Sequence, residues 1–525
     1  MARMVSANGS AGRRARLVAV VTTPAGLSTA RLQTLNDIAD DLEVRADLVG
    51  DPDPRHLRRH FTGSLTYTLR TRRQGGAFEG EPAERRSRLL GAAAQYDLVD
   101  LEWPNDLQGP DCLTCHQLSA IPAPRRRISW QGTADGGADL PARFAAMAAE
   151  PAALYLLAPR CADPDSAAAM PLLLSGLGRS DVTAFASGPE GTWTRILAPW
   201  LGAPVAFGLA GPPGADGTPG VEQLKSDYGL PELPALRGLY GAARGAPGRS
   251  LFPRLQNAAF RELGLPALYL PFPIASLSRF LRRVAPLGER AGLPLRGLTV
   301  SAPHREDALD LADTTSPLAR SSGAVNVLRL DAGHRYGDDT DSAVALRALA
   351  RLGIDPAGRT AAVIGCGGAG RSIAVALHRA GAQVTLVNRD PIRGRKAAEL
   401  LGLPFVPLAA FSAGGHSVLV HATPLVERAP FPVADADPDA VILELAYRGD
   451  APTPLMAAAR ARGMRTVDGL EVLLLEAQDQ LRILTGRQLP VASVRPLLPS
   501  GRPLLPPVRP LLPSTCPDPA SEEAP

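Results

Sequence analysis

Lysine is almost absent from this chain of 525 residues: Lys225 and Lys396 are its two lysines, and the rest of its 56 basic residues are arginine. A genome biased towards arginine, alanine, glycine and proline codons explains most of this scarcity. The chemical consequence holds whatever the cause. Any mechanism that needs a lysine amine must use one of these two residues.

Cysteine, net charge and long apolar runs are also scarce. Five cysteines in so long a chain do not build a disulfide framework, which favours a reducing compartment. The formal charge of +4 is spread along the chain, unlike that of a dedicated nucleic-acid binder. No run approaches the roughly eighteen apolar residues of a membrane span, and Leu17–Val21 is too short for the core of a signal peptide. These absences predict a cytoplasmic protein with no nucleic-acid or membrane partner.

Proline and glycine, by contrast, are abundant, at 51 residues each. Proline concentrates near the C-terminal end, where the segment Arg495–Pro499 recurs twice with a seven-residue period. Proline this dense blocks helices and central strands alike. A polyproline II ligand for a partner's groove is one interpretation, but the composition favours a disordered tail.

The length predicts three or four domains, and residues 16–228 alternate short apolar segments with stretches of helical period. This alternation predicts a parallel (β/α)8 barrel, in which polar residues at the carboxyl ends of the strands carry the chemistry. The eight predicted strands are Leu17–Thr22, Leu42–Leu48, Leu65–Leu69, Leu98–Glu102, Arg127–Trp130, Leu154–Ala158, Val182–Ala186 and Val205–Leu209.

A second pattern begins at residue 359, where an apolar strand breaks into a glycine-rich turn. A helix is predicted over Arg371–Arg379 and another strand over Gln383–Val387. The G-x-G-x-x-G spacing indicates a dinucleotide-binding turn only in this context, where a strand precedes the turn and a helix and a second strand follow it. The pattern predicts a Rossmann domain whose helix N-terminus receives a pyrophosphate. The turn residues predicted to bind it are Gly365, Gly367, Gly368, Ala369 and Gly370.

The end of the second strand of this pattern distinguishes between cofactors. NAD-binding domains place an acidic residue there for the ribose 2′-hydroxyl, whereas this strand ends in Asn388 and Arg389, with Arg393 close behind. Cationic side chains favour a 2′-phosphate, so the sequence favours NADP over NAD. Asp390 is the counter-argument, because a buried Asp390 would reverse the preference.

Residues 238–486 resemble the shikimate dehydrogenase family. The resemblance rests on several ordered segments rather than on one motif, and it implies an NADP-dependent oxidoreductase with separate substrate-binding and Rossmann domains. The segments are Gly248–Ser250, Gln256–Asn257, Gly297–Arg305, Gly323–Asn326, Gly337–Asp341, the glycine turn, Asn388–Arg389, Thr453–Leu455 and Val467–Gly469.

The resemblance places Arg305 and Asp341 where the family has a lysine and an aspartate at the reacting hydroxyl. A guanidinium stays protonated and is a poor proton shuttle, although it can orient the hydroxyl and stabilise alkoxide charge. Reduced rather than absent activity is expected. Substrate-binding positions that match or nearly match are Ser250, Ser301, Asn326, Tyr447 and Gln480, and the departures include Phe252, Asp339 and Glu476.

The upstream residues resemble the type I 3-dehydroquinate dehydratases, so the whole chain is similar to the fused dehydratase–dehydrogenase enzymes of the shikimate pathway. Arg45, Arg70, Glu102 and Arg195 match the substrate-binding segments of the dehydratases. The resemblance implies that the barrel holds a small polyol carboxylate of the shikimate or quinate type.

Dehydratase chemistry of this type needs a lysine that forms a Schiff base and a histidine that moves protons. The resemblance puts Leu156 at the lysine position, Gln131 at the histidine position and Val221 at that of an active-site glutamine. Leucine cannot form an imine and glutamine does not titrate. A misalignment could move the histidine, but Lys225 lies past the last strand and Lys396 in the Rossmann domain. The sequence therefore predicts a barrel without Schiff-base activity.

These observations predict a chain of six segments. They are a basic flexible N-terminus over 1–15, the barrel over 16–228, a substrate-binding domain over 238–350, an NADP-binding Rossmann domain over 351–466, a C-terminal helix over 467–487 that packs on the substrate domain, and the proline-rich tail over 488–525.

The leading hypothesis is a shikimate-pathway fusion homologue with an NADP-dependent, shikimate dehydrogenase-like half. A non-catalytic sensor that keeps its ligand sites is the second hypothesis, and a protein with both activities is the third. Cys112–His116 has the C-x-x-C-H spacing of haem attachment. The haem hypothesis is disfavoured because attachment requires export, and zinc binding would need a second ligand pair.

Overall fold

A computed structural model describes residues 13–134, 139–161, 163–214, 217–245, 250–449 and 451–499. The tail repeats beyond residue 499, residues 1–12 and the Gly248–Arg249 part of the family segments lie outside these residues. The chain forms two compact units. The first contains residues 13–316, Val325–Asp338 and Gln480–Leu497, and the second contains Pro317–Ala324 and Asp339–Asp479.

Eight parallel strands form the predicted barrel at the start of the first unit. They are β1 Arg16–Val21, β2 Asp41–Arg45, β3 Ser64–Thr68, β4 Leu98–Glu102, β5 Arg126–Trp130, β6 Leu154–Leu157, β7 Val182–Ala184 and β8 Val205–Leu209. Their order is β7-β6-β5-β4-β3-β2-β1-β8, so the first strand pairs with the last. The rings of Phe185 and Phe207, 6.1 Å apart, join the two ends of the sheet.

The predicted strand bounds agree with these strands except at two carboxyl ends. Leu42–Leu48 was too long as a prediction, because the chain turns into a helix at Ala46. Val182–Ala186 was also too long, and the strand ends at Ala184. In both places apolar residues continue past the strand, which periodicity alone does not separate from a strand.

Helices follow the barrel strands, and several of them begin at a capping side chain or a proline. The helix that starts at Pro54 has both, since the Asp53 carboxylate accepts a hydrogen bond from the Arg55 amide. The barrel helices are α1 Thr29–Asn36, α2 Ala46–Val49, α3 Pro54–His60, α4 Pro82–Ala93, α5 Cys115–Ser119, α6 Leu140–Met147, α7 Ala169–Leu177, α8 Thr192–Leu197 and α9 Val221–Tyr228. Lys225 lies exposed on α9.

The interior of the barrel is divided into an apolar and a charged sector. Side chains alternate along each strand, so every second residue faces inward. The apolar sector lies on β1, β6, β7 and β8 and is a buried cluster. The charged sector lies on β2 to β5. The apolar cluster consists of Val18, Leu156, Ala158, Phe185, Val205 and Phe207, and the buried charged residues include Glu43, Asp100, Glu102 and Arg127.

A mixed six-stranded sheet follows the barrel in the first unit. Its strands are β9 Gly238–Arg244, β10 Ala267–Pro273, β11 Leu295–Val300, β12 Thr314–Thr315, β13 Val327–Asp331 and β14 His334–Asp338. The sheet order is β10-β9-β11-β13-β14-β12, in which β13 runs antiparallel to both β11 and β14. Helices α10 Phe252–Glu262, α11 Leu277–Ala291 and α12 Arg305–Leu311 accompany this sheet.

The barrel and this sheet pack together through aromatic side chains. Trp193 on α8 is 1% exposed, and its ring lies 5.3 Å from Phe272 and 6.4 Å from Phe280. A buried aromatic cluster of this kind stabilises an interface by several kcal/mol. The ion pair between Arg254 and Asp227, at 2.8 Å, adds a polar contact between α10 and α9.

The end of the chain returns to this sheet. Thr299 donates a hydrogen bond of 2.7 Å to Gln480 Oε1, and both side chains are buried. Ile483 and Leu484 pack with Val327. These contacts join residues 480–484 to the sheet, and the predicted six-segment division stays a prediction.

The second unit is built around a six-stranded parallel sheet. Its strands are β15 Thr360–Ile364, β16 Gln383–Asn388, β17 Phe405–Pro407, β18 Val418–His421, β19 Val441–Glu444 and β20 Arg465–Val467. The strand order is β17-β16-β15-β18-β19-β20. The chain therefore adds strands first on one side of β15 and then on its other side, as in a doubly wound Rossmann sheet. Apolar clusters cover both faces of the sheet, as a parallel sheet requires.

The helices of the second unit confirm the predicted glycine-turn pattern. The helix after the turn spans Gly368–Arg379, three residues longer at its start than predicted, because the glycines themselves form its first turn. Lys396 lies exposed on α16. The remaining helices of the chain are α13 Pro317–Ser322, α14 Asp341–Arg351, α15 Gly368–Arg379, α16 Pro391–Leu401, α17 Pro454–Ala461, α18 Gly469–Thr485 and α19 Val491–Val494.

No helix in the described part of the chain is both long and apolar enough to cross a membrane. The cytoplasmic location and the lack of nucleic-acid partners stay predictions.

Candidate active sites

The barrel places its predicted binding residues at the carboxyl ends of β2 to β4. Arg45 ends β2 and makes two hydrogen bonds with Asp47, of 2.8 and 2.7 Å. Arg70 follows β3, and its guanidinium lies 3.8 Å from Glu43. Burial lowers the pKa of Arg70 to about 10. Both arginines are therefore held in place by carboxylates before any ligand binds.

Arg127 is the centre of the charged sector and was not among the predicted site residues. Its guanidinium donates to Asp100 at 2.6 Å, to Glu43 at 2.8 Å and to Thr68 at 2.9 Å. Burial raises the pKa of Glu43, but the nearby Arg127 outweighs burial and lowers this pKa to about 2. Burial likewise lowers the pKa of Arg127, and the two carboxylates more than reverse the effect. The interior charges thus neutralise one another.

Glu102 and Arg195 occupy different parts of the mouth of the barrel. Glu102 accepts hydrogen bonds from the amide and hydroxyl of Thr71, both at 2.8 Å, and burial raises its pKa. The Arg195 guanidinium lies over the ring of Phe185, 4.1 Å from its centroid. Arg195 thus lies beside the apolar sector, whereas Arg45, Arg70 and Glu102 lie on the charged strands or next to them.

The residues at the predicted catalytic positions of the barrel lie on β6, after β5 and at the start of α9. Leu156 is 4% exposed and belongs to the apolar cluster. Gln131 follows β5, and its backbone amide donates to Gln74 at 2.7 Å. Val221 is fully buried at the start of α9.

In the first unit, the predicted dehydrogenase residues gather at the carboxyl end of β11. Arg305 begins α12, is half-buried and donates from Nε to the Val300 carbonyl at 3.2 Å. The carbonyl of Asn326 accepts from the Val300 amide at 2.7 Å. Gln480, on α18, contacts the same strand by accepting a hydrogen bond from Thr299. Ser301, the next residue after β11, is half-buried.

Ser250 lies at the start of α10 rather than on the β11 edge. Its hydroxyl oxygen accepts a hydrogen bond of 3.3 Å from the amide of Phe252. Phe252, the predicted departure from the family pattern, is 8% exposed in the same helix. At this position the phenyl ring is part of the buried face of α10.

In the second unit, Asp341 is the first residue of α14 and is 1% exposed. It lines a pocket of about 170 Å³ together with Glu476 and apolar side chains that include Val344 and Ile373. Tyr447 is half-buried and does not line this pocket. The pocket therefore contains two carboxylates in otherwise apolar surroundings.

Asp339, another predicted departure, is a structural anchor for this segment. Its carboxylate accepts a hydrogen bond of 2.6 Å from the Ser322 hydroxyl and one of 3.2 Å from the Asp341 amide. Arg371, which sequence reasoning did not single out, donates to the carbonyls of Ser322 and Gly323 at 2.9 and 3.1 Å. These bonds tie α13 to the starts of α14 and α15.

The glycine turn has the backbone geometry that the sequence pattern predicts. Gly365 adopts a φ of +115°, and a Cβ on Gly370 would lie 1.8 Å from the Gly365 carbonyl oxygen. Both positions therefore require glycine. A Cβ on Gly367, in contrast, would meet no atom within 4 Å, and no side chain caps the start of α15. The helix start therefore has room for a ligand beside Gly367.

The cofactor-discriminating residues lie at the end of β16. Asp390 is exposed, and its carboxylate caps α16 by accepting from the amides of Ile392 and Arg393. Arg389 and Arg393 are also exposed. Asn388 is half-buried, and its Oδ1 accepts a bond of 3.4 Å from the Cys366 amide. Asp390 is thus engaged as a cap, and the objection that it raised against a 2′-phosphate is removed.

Within the described residues, no group of three or more histidine, cysteine or carboxylate side chains is arranged to hold a metal ion. Cys112, in the C-x-x-C-H segment, is half-buried and Cys115 is exposed, and both are free thiols.

Two family models match the chain. The model "Type I 3-dehydroquinase" matches residues 17–233, and the model "Shikimate dehydrogenase substrate binding domain" matches residues 246–328. The two matches follow one another along the chain in the order that the sequence predicts.

Curated relatives match the second half of the chain. "Shikimate dehydrogenase (NADP(+))" of Rubrobacter xylanophilus is 35% identical over 284 residues, which cover 51% of this chain and 98% of the relative. The protein of the same description from Oleidesulfovibrio alaskensis is 34% identical over 280 residues, which cover 51% and 96%. A solved structure of dehydroquinate dehydratase and shikimate dehydrogenase from S. pombe is 21% identical, covers 92% of this chain and 98% of its own, and has a TM-score of 0.40.

Proposed function

Because the chain belongs to the shikimate dehydrogenase family, we propose that it is an NADP-dependent oxidoreductase acting on a shikimate- or quinate-type polyol carboxylate. We further propose that the preceding dehydratase-like barrel lacks Schiff-base activity. The predicted six-segment division is kept as part of this proposal. The proposal also includes the predicted site residues, with Asp341 and Arg305 as catalytic residues. The proposed substrate-binding residues are Ser250, Ser301, Asn326, Tyr447, Gln480, Arg45, Arg70, Glu102 and Arg195. The proposed cofactor-binding residues are Gly365, Gly367, Gly368, Ala369, Gly370, Asn388, Arg389 and Arg393.

The glycine turn is the observation that carries the proposal. The room beside Gly367 and the close approach of Gly370 to Gly365 suit a pyrophosphate at a helix N-terminus. The exposed cations Arg389 and Arg393 suit the 2′-phosphate of NADP. When bound, NADP supplies a hydride acceptor at nicotinamide C4.

The roles of Asp341 and Arg305 follow from the family resemblance and from their side-chain chemistry. Asp341 is an acceptor-only group when ionised, and it lines a pocket whose other walls are mostly apolar, so we assign it to hold the substrate hydroxyl proton. Arg305 keeps its charge, so we assign it to orient that hydroxyl and to stabilise negative charge on its oxygen.

The apolar packing of Leu156 supports the proposal for the barrel. A lysine amine at this position would have to lie in a cluster with Phe185 and Phe207, and in this chain the position carries no nitrogen at all. Arg45, Arg70 and Glu102 retain the charges that would hold a carboxylate and hydroxyl groups.

The dehydrogenase proposal is tested by the rate of nicotinamide reduction. The full chain is assayed with shikimate or quinate and with NADP or NAD, beside Arg305→Lys. Turnover by the wild type that is faster with NADP supports the proposal. Activity only in Arg305→Lys would place a loss of function at this position, and binding of NADPH without turnover in either protein would favour the sensor hypothesis.

The barrel proposal is tested by borohydride trapping with 3-dehydroquinate. We expect no covalent adduct by mass spectrometry of the wild-type chain. An adduct on Lys225 or Lys396 would overturn the proposal and favour a protein with both activities.

A further inference from the structure

A buried chain of hydrogen bonds lies at the carboxyl edge of the sheet in the second unit. His421 ends β18 and Glu444 ends β19, and the two residues pair in register, so their side chains lie on the same face. Both are 0% exposed. His421 Nδ1 lies 2.9 Å from Glu444 Oε1, and His421 Nε2 lies 2.6 Å from Thr423 Oγ1. The Thr453 hydroxyl donates to the other oxygen of Glu444.

The donors and acceptors of this chain can all be satisfied. Glu444 accepts from the Thr453 hydroxyl at one oxygen and from His421 Nδ1–H at the other. His421 Nε2 shares a hydrogen bond with the Thr423 hydroxyl. The Thr423 oxygen in turn accepts from the Leu425 amide at 3.4 Å. The position of Thr423 is therefore coupled through His421 to the neighbouring strand.

Thr423 also touches the glycine turn. Gly365 has its left-handed φ of +115° at a point where a Cβ would lie 2.9 Å from Thr423 Cγ2 and 2.8 Å from the Ala422 carbonyl oxygen. The Ala422 amide donates to the Ile364 carbonyl at 2.8 Å, directly before the turn. Close packing on one side therefore fixes the path of the turn that is open on the other side.

If His421 only stabilised the fold, losing either of its two hydrogen bonds would have the same kind of effect. Here the two bonds have different consequences, because the Nδ1 bond joins two strands and the Nε2 bond reaches Thr423, which packs against the glycine turn. We infer that His421 is a positioning residue that holds Thr423 against the glycine turn and thereby shapes the cofactor site. The inference rests on the proposed function, because it assumes that the turn receives NADP.

The two bonds can be separated by two amide substitutions. The side-chain amide of glutamine, which can donate or accept, reaches about as far as Nε2 of histidine, and the side-chain nitrogen of asparagine reaches about as far as Nδ1. His421→Gln therefore keeps the contact with Thr423 and loses the one with Glu444, whereas His421→Asn does the reverse. Thr423→Val removes the hydroxyl at constant shape, and Thr423→Ser retains it as the matched control.

The first measurement is the dissociation constant of NADPH for each full-length variant, determined from the change in NADPH fluorescence on binding. We expect His421→Asn and Thr423→Val to weaken binding about tenfold, because a small displacement of binding groups is costly. His421→Gln and Thr423→Ser should stay within about twofold of the wild type. The double variant His421→Asn/Thr423→Val should bind no more weakly than either single variant, since both act through one contact.

The second measurement is amide hydrogen exchange of the ligand-free proteins over 362–370 and 422–428. Exchange should accelerate in His421→Asn and Thr423→Val but not in His421→Gln or Thr423→Ser. Equal binding and equal exchange in His421→Asn and the wild type would overturn the inference. A wild type that does not bind NADPH would instead overturn the proposed function, and the exchange comparison would still decide whether His421 positions the turn.

Discussion

The two parallel sheets differ in the polar groups that they hold. In the barrel, charged side chains fill one sector of the interior and are already paired, as Arg127 is with Glu43 and Asp100. In the sheet of the second unit, the turn after β15 presents backbone amides instead, and no side chain caps the helix that follows. The charges of the barrel are paired without a ligand, whereas the described residues place no side-chain cap at the start of α15. Losing one partner of a buried ion pair destabilises a fold, and an uncapped helix N-terminus suits an anionic ligand.

The largest loss of stability is expected when Arg127, the central cation of the barrel, is replaced. Arg127→Met leaves Glu43 and Asp100 buried without their shared partner, so we expect the free energy of unfolding to fall by about 3–5 kcal/mol. Denaturant unfolding of the full chain measures this change. The matched control is Arg179→Met, whose ion pair with Asp181 is largely exposed and should cost less than about 1 kcal/mol. Equal losses in the two variants would contradict the assignment.

A fall in pH should lower the stability of the barrel over a pH range set by the pKa of Glu43. The pKa of Glu43 is about 2 in the folded protein, against about 4.3 in an unfolded chain. A lowered pKa stabilises the fold above pH 4.3, and this stabilisation, about 3 kcal/mol, is lost as the pH falls towards 2. The unfolding midpoints of wild type and Glu43→Gln should converge as the pH falls from about 5 to about 2. A gap that stays constant would exclude Glu43 as the titrating group.

A methyl group at Gly367 tests whether the glycine turn of the second unit binds the cofactor. Gly367→Ala adds a Cβ that meets no protein atom, so the unfolding midpoint should not change. The same methyl would lie where the pyrophosphate is proposed to bind, and NADPH affinity should fall on the order of tenfold. Gly370→Ala, whose Cβ would clash with Gly365, should lose stability as well. Unchanged NADPH affinity in Gly367→Ala would place the cofactor elsewhere.

The smallest effect is expected at the end of β16. Arg389→Ala should weaken NADP binding about fivefold and leave NAD binding unchanged, because an exposed charge contact is worth at most about 1 kcal/mol. Arg395→Ala, on α16, is the matched control and should alter the binding of neither cofactor. Titration calorimetry with both cofactors measures the difference. Equal weakening of NADP and NAD would show that Arg389 does not recognise the 2′-phosphate.

The sequence predicted local features better than the pairing of distant residues. Period-two and glycine patterns are local, so strands such as Leu98–Glu102 and the turn at Gly365 were predicted closely. Partners that come from separate strands are not visible in a linear pattern. Arg127 reads as one of three consecutive arginines, and its pairing with Glu43 across the barrel appears only in the fold. His421 was missed for the same reason, although a histidine that ends an apolar strand beside a glycine turn was a usable signal.

The scarcity of lysine also makes the protein convenient to label. Lys225 on α9 and Lys396 on α16 are both exposed, and each belongs to a different compact unit. An amine-reactive fluorophore therefore has one side-chain target in each unit, besides the terminal amine. Lys225→Arg or Lys396→Arg would preserve charge and leave a single reporter. Conjugation at Lys396, seven residues from Arg389, would then report directly on cofactor binding, and conjugation at Lys225 on events in the barrel.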